Sequence, residues 1–171
     1  DTTARTARPV RPVRPARTAH TDLDAWLRRL GLDPHTTTNA TPDLALLRTI
    51  HTAHIRQVPF ENLDIHLGRP IVLTIEALQV KQVDAGQSRG GFCYELSGLM
   101  AHHLRALGYC VTLLCCRFRH DAHSFGPAFD HLALLVTLGP EEQWLLDVGS
   151  IPHPLPLTPG DALQPDGGTY R

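Results

Sequence analysis

The sequence predicts an α+β fold, with helices first and strands after. Residues 21–108 hold four stretches whose apolar residues recur at helical spacing. From residue 109 the pattern changes to short, apolar, β-leaning runs. This order argues against alternating β and α units and for segregated layers. The 171 residues, 42% hydrophobic and 19% charged, have ordinary globular composition and suit one domain or two small ones sharing a core.

Residues 1–20 form an Arg/Pro-rich tail. "TARPVRPVRPARTAH" places an arginine at every third position, from Arg5 to Arg17, with Pro9, Pro12 and Pro15 in register. In polyproline II, with three residues per turn, the arginines would line one edge. That edge suits an acidic partner, but nothing in the segment can bury a core, so it is read as a disordered tail.

The helical region, 21–108, follows. "TDLDAWLRRLGL" has Leu23, Trp26, Leu27 and Leu30 in phase, Thr21 or Asp22 as cap and Gly31 as stop. "TPDLALLRTIHTAHIRQV" is expected to start with Thr41 as cap and Pro42 at the first position, and to end before Pro59. "VPFENLDIHLGRPI" reads as a loop with several apolar anchors. A third helix is capped by Thr74 and stopped near Gly86. A fourth carries Leu96, Leu99, Met100, His103, Leu104 and Leu107 and ends at Gly108. In the β region, 109–157, the strands are "YCVTLLCCRF", "HLALLVTL" and "QWLLDVG", the last two joined tightly by "GPEE". Residues 158–171, rich in Pro and Gly, read as irregular.

Composition excludes several classes. Residues 1–19 carry five arginines and one acid, near +4, so a net charge of −1 leaves the remainder near −5. That is a poor start for a nucleic-acid binder. No apolar run approaches the roughly 18–20 residues of a membrane span, and the arginine-bearing N-terminus has no hydrophobic stretch of a secretory signal. Four cysteines, two of them adjacent, then read as reduced thiols in a cytoplasmic protein.

Chemistry points first to "SRGGFCYELSGLM", 88–100. A free thiol titrates near about 8.5, and the unpaired N–H groups of a helix N-terminus favour its anion. Gly90 and Gly91 allow a sharp turn into the helix, so Cys93 stands where a reactive thiol belongs. A nucleophile also needs a histidine, and the histidine an orienting acid. His131 opens one strand and Asp147 closes the next. If these strands pair through "GPEE", both residues lie at one end of the sheet. Each also has an ordinary reading: a small core thiol, a half-exposed strand histidine, a turn-capping aspartate. Spacing alone leaves the two readings evenly matched.

The motifs "VPFENLDIHLGRPI", "RGGFCYE", "HLALLV" and "WLLDVG", in that order, resemble the arylamine N-acetyltransferases over residues 20–157. The resemblance implies a helical bundle followed by a β-barrel-like region, with a cysteine-protease/transglutaminase-like core. The family's third, covering region is expected to be absent or truncated here. It also implies Cys93 as acetyl acceptor, His131 as base and Asp147 as orienting acid. Acetyl would pass from acetyl-CoA, with no tightly bound cofactor, to a small-molecule arylamine or hydrazine. Glu61 and Arg89 are expected to pair and brace the loop before the cysteine. Arg117 and Arg119 are weak candidates for the CoA phosphates. The chain departs from the family pattern after Gly149, where Ser150, Ile151 and Pro152 replace an aromatic residue and further glycines. Two other readings stand beside this one: a macrolactam-forming amide synthase on the same scaffold, and a truncated inactive remnant. A structural zinc on Cys115, Cys116, His120 and His123 is disfavoured, because adjacent strand residues face opposite ways. Cys110, Cys115 and Cys116 are expected to be packed strand residues, and His51 and His54 to lack a third ligand.

Overall fold

Apolar residues spaced for helices do converge on one core. A computed structural model describes residues 17–84, 88–121, 123–157, 162–163 and 169–170. The helices are α1 (Arg17–Arg29), α2 (Pro34–Asn39), α3 (Leu44–Gln57), α4 (Leu63–His66), α5 (Ile75–Gln82) and α6 (Cys93–Ala106). The strands are β1 (Cys110–Cys116), β2 (His131–Gly139), β3 (Glu142–Leu146), β4 (Leu155–Pro156), β5 (Ala162–Leu163) and β6 (Thr169–Tyr170).

Leu23, Trp26, Leu27 and Leu30 of α1 and its end are buried, as their spacing requires. The helix begins at Arg17, ahead of the expected cap at Thr21 or Asp22. Pro15 is the last residue of the repeat that cannot continue a helix, and no breaker separates Arg17 from Arg29. The short α2 was not expected, because it has no apolar period. Its signal is the pair Asp33–Pro34: the Asp33 carboxylate accepts from Thr36 N–H at 3.0 Å and Pro34 takes the first turn. In α3 the cap is Asp43, which accepts from Leu46 N–H at 2.9 Å, not Thr41. The carboxylate wins because it adds charge to the same hydrogen bond at the positive end of the dipole. The buried face of α3 is Leu47, Ile50, His51 and His54.

Thr74 caps α5 as expected, accepting from Ala77 N–H at 3.3 Å; the helix ends at Gln82, and Gly86 lies outside the described residues. The α6 helix buries Leu96, Leu99, Met100, His103 and Leu104 and packs on β1 and β2. Between α3 and α5, Val58 anchors in the core as expected, but the other large apolar residues do not. Phe60, Leu63, Ile65 and Leu67 are each about half exposed, and the segment contains α4 rather than loop alone. Buried Asp64 and its ion pairs hold it instead.

The sheet has the order β1-β2-β3-β4, all antiparallel. Among the described residues it is open rather than a closed barrel. β4 pairs with β3, and β5 with β6, although no strand was expected after residue 149 and the last segment was expected to be irregular. Strands of two residues have no period of their own to read. Val111, Leu134, Val136, Leu146 and Val148 complete the core beneath α6. No described helix is long and apolar enough to cross a membrane.

Candidate active site

The turn into α6 is shaped by close backbone approach. A Cβ on Gly90 would lie 1.6 Å from the Pro59 carbonyl oxygen, and one on Gly91 would lie 2.8 Å from the Glu95 side chain. Only glycine fits either place. Glu61 N–H donates to Gly91 O at 2.9 Å, so the segment after α3 runs beside the one that enters α6. Phe92 is the extended cap residue and Cys93 the first residue of the helix. The positive end of α6 is therefore at the sulfur.

His131 opens β2, and the hairpin returns through β3 so that Asp147, one residue past its end, reaches the same site. His131 Nε2–H donates to Asp147 Oδ2 at 2.7 Å. Gly149 N–H donates to Oδ1 at 3.0 Å, fixing the carboxylate from its other side. The His131 side chain and the backbone N–H groups of Leu132 and Tyr94 lie beside the Cys93 sulfur and favour its anion. Ser97, one turn further along α6, donates to Leu132 O at 3.2 Å, tying the cysteine's helix to the histidine's strand. All three side chains are buried.

Their electrostatics agree with the contacts. Burial pushes the Cys93 thiol up, but the His131 and Leu132 hydrogen bonds outweigh it and the net shift is downward. The hydrogen bond to Asp147, then that to Cys93, raises His131 from 6.5 to about 10. Burial raises Asp147, and the His131 and Gly149 hydrogen bonds reverse this to leave it lowered. These shifts favour the anion of Cys93 and the cation of His131 beside the Asp147 carboxylate, an arrangement whose groups suit nucleophilic attack and proton transfer.

Arg89 Nη2 donates to Glu61 Oε1 at 2.8 Å. The sequence reading missed what surrounds this pair. Arg89 Nη1 also donates to Asp64 Oδ1 at 2.7 Å, and Lys81 Nζ lies 2.7 Å from Asp64 Oδ2 and 2.6 Å from Glu95 Oε1. One signal was available: Lys81 is the single lysine in a chain of fifteen arginines. Also missed was Phe129, whose φ of 63° is held by Tyr94, the residue after Cys93, donating from its hydroxyl to Phe129 O at 2.7 Å. The rings of Phe118, Phe125 and Phe129 are exposed, with the Phe118 ring tilted against that of His131, centroids 5.0 Å apart. Phe60 lies against Gly149, two residues past Asp147.

Arg117 Nε donates to Gly126 O at 2.6 Å and Arg119 Nε to Asp121 O at 2.8 Å. Both tie down the 117–130 loop. Cys110 and Cys115 are exposed, not packed, because β1 is an edge strand that exposes residues on both of its faces. Among the described residues no three His, Cys, Asp or Glu side chains converge as metal ligands.

Residues 43–171 match a family model described as N-acetyltransferase. Arylamine N-acetyltransferase of Mycolicibacterium smegmatis is 40% identical over 159 residues, which are 88% of this chain and 55% of that protein. The solved structure of arylamine N-acetyltransferase from Salmonella typhimurium superimposes with a TM-score of 0.76 at 39% identity, over 88% of this chain and 54% of that one. The Mycobacterium marinum arylamine N-acetyltransferase, solved in complex with CoA, gives 0.73 at 36% identity, over 87% and 55%. The chain spans about half the length of the curated relatives it matches.

Proposed function

The chain belongs to the arylamine N-acetyltransferase family, and on that premise we propose that it moves acetyl from acetyl-CoA to an arylamine or hydrazine nitrogen through a thioester on Cys93. One observation carries the reading: Cys93, at the first position of α6, lies beside a histidine that is itself hydrogen-bonded to a buried carboxylate.

The ping-pong cycle uses the row of three side chains. Cys93 thiolate attacks the acetyl carbonyl carbon, and the carbonyl electrons move to oxygen. Backbone N–H groups at the positive end of α6 stabilise that oxyanion. Collapse breaks the bond to the CoA sulfur, which leaves with the His131 proton. An amine then attacks the S-acetyl carbon, neutral His131 takes the amine proton, and Cys93 leaves as thiolate beside the re-formed imidazolium. Asp147 keeps the His131 ring turned toward the sulfur and stabilises its positive charge. Glu61 and Arg89 brace the approach to Cys93. The exposed phenyl faces of Phe118 and Phe60 beside the row suit a flat aromatic acceptor. The marinum relative's complex with CoA supports acetyl-CoA as the donor.

The test is mass spectrometry of the chain after mixing with acetyl-CoA. The expected result is a gain of about 42 Da, one acetyl group, on the peptide containing Cys93, discharged by an added aniline. No gain, with the protein folded, would favour a remnant without transferase activity.

A further inference from the structure

We propose that Lys81 is a positioning residue for the Cys93 thiol, its ammonium holding and neutralising the Glu95 carboxylate on the nucleophile's own helix. The inference rests on Cys93 being the nucleophile. Glu95 is the third residue of α6 and only 2% exposed. Its Oε2 accepts from Phe92 N–H at 3.2 Å, capping the helix at the residue before the sulfur. Its Oε1 lies 2.6 Å from Lys81 Nζ. A buried carboxylate within a turn of Cys93 opposes a thiolate there, since like charges in a poorly solvated place repel strongly. Lys81 cancels that charge while leaving the cap in place.

The geometry suits lysine. Its ammonium is a compact charge with several donors, and here it serves two carboxylates, Glu95 and Asp64 at 2.7 Å. It sits in the last turn of α5, where a cation is favoured, and Gln82 beside it donates to Glu95 O at 3.0 Å. The carboxylates and cations alternate: Glu61, Arg89, Asp64, Lys81, Glu95, with Arg69 on the outer side of Asp64 at 3.7 Å. The row thus runs from the segment after α3 to the cap of α6. On its other side the sulfur faces His131, with Asp147 behind the ring and Cys116 and Tyr94 nearby.

Alkylation of Cys93 by iodoacetamide, followed by mass spectrometry from pH 5 to 10, reads the thiolate without acetyl-CoA or amine. Lys81→Met should raise the midpoint by about one pH unit and slow alkylation about tenfold at pH values below the midpoint. Lys81→Arg should restore most of the loss. In the Lys81→Met/Glu95→Gln double variant the midpoint should return to that of the unmodified chain, because a neutral amide still accepts from Phe92 N–H and needs no cation. A Lys81→Met midpoint that does not move, even with a lower Tm, would show a strut and overturn the proposal; so would a double variant as slow as the single one. If Lys81→Met does not fold, Glu95→Gln alone decides: a lowered midpoint supports the role and an unmoved one overturns it. Failure of acetyl transfer with a normal alkylation profile would count against the transferase reading alone.

Discussion

Lowering the pH from 7 to 5 should remove most of this protein's stability, and three histidines set the size of the effect. His51, His54 and His103 are fully buried. Burial lowers them from 6.5 to about 4, about 3 and about 3 respectively. Between those values and 6.5 the unfolded chain binds protons that the folded chain refuses, so stability rises with pH there and falls as pH falls. At pH 5 each histidine costs about 2 kcal/mol relative to neutrality, about 6 kcal/mol together. His131 runs the other way. It is raised to about 10, so its contribution is complete below about 6.5, is lost as pH rises through 10, and offsets less than about 1 kcal/mol of the change from pH 7 to 5. A loss near 5 kcal/mol is comparable to the whole stability of many domains. Urea unfolding followed by circular dichroism at pH 7, 6 and 5 measures it, and the slope should approach three protons per molecule. His54→Leu isolates one of them. Neither His54 ring nitrogen has a hydrogen-bond partner among the described residues, so the variant should lose one proton of slope and be the more stable protein at pH 5. Equal unfolding free energies at pH 7 and 5 would refute the reasoning, because three neutral buried imidazoles cannot give a flat profile.

Asp147→Asn removes the largest cause of the His131 rise. Losing the greater part of that stabilisation is worth about 3 kcal/mol, so the His131 titration in the pH profile of Cys93 alkylation should move down by about two pH units; an unchanged pH profile would remove Asp147 from the row. Arg89→Ala breaks hydrogen bonds of 2.7 and 2.8 Å to Asp64 and Glu61. It should cost about 2 kcal/mol and lower Tm by about 6 °C, and an unchanged Tm in a thermal melt would end the bracing role.

The site was more legible than its surroundings. Cys93, His131 and Asp147 are each of a reactive type at the end of a strongly patterned element, and a tight hairpin can bring strand ends together in only a few ways. The charged row around Lys81 had no such signal. Its members come from four separate segments, and in sequence Asp64 or Glu95 looks like any solvated acid. Of the expected β-barrel-like region only an open sheet is present among the described residues, since no periodicity says whether edge strands meet.

What the chain determined alone was local: where apolar spacing makes a helix or strand, where glycines permit close approach, and which residue types stand at the ends. Tertiary structure decided which distant groups share a poorly solvated space. Whether an imidazole is a base, like His131, or a neutral core residue, like His54, depends on the charges and hydrogen bonds around it. Those are set only when separate elements pack.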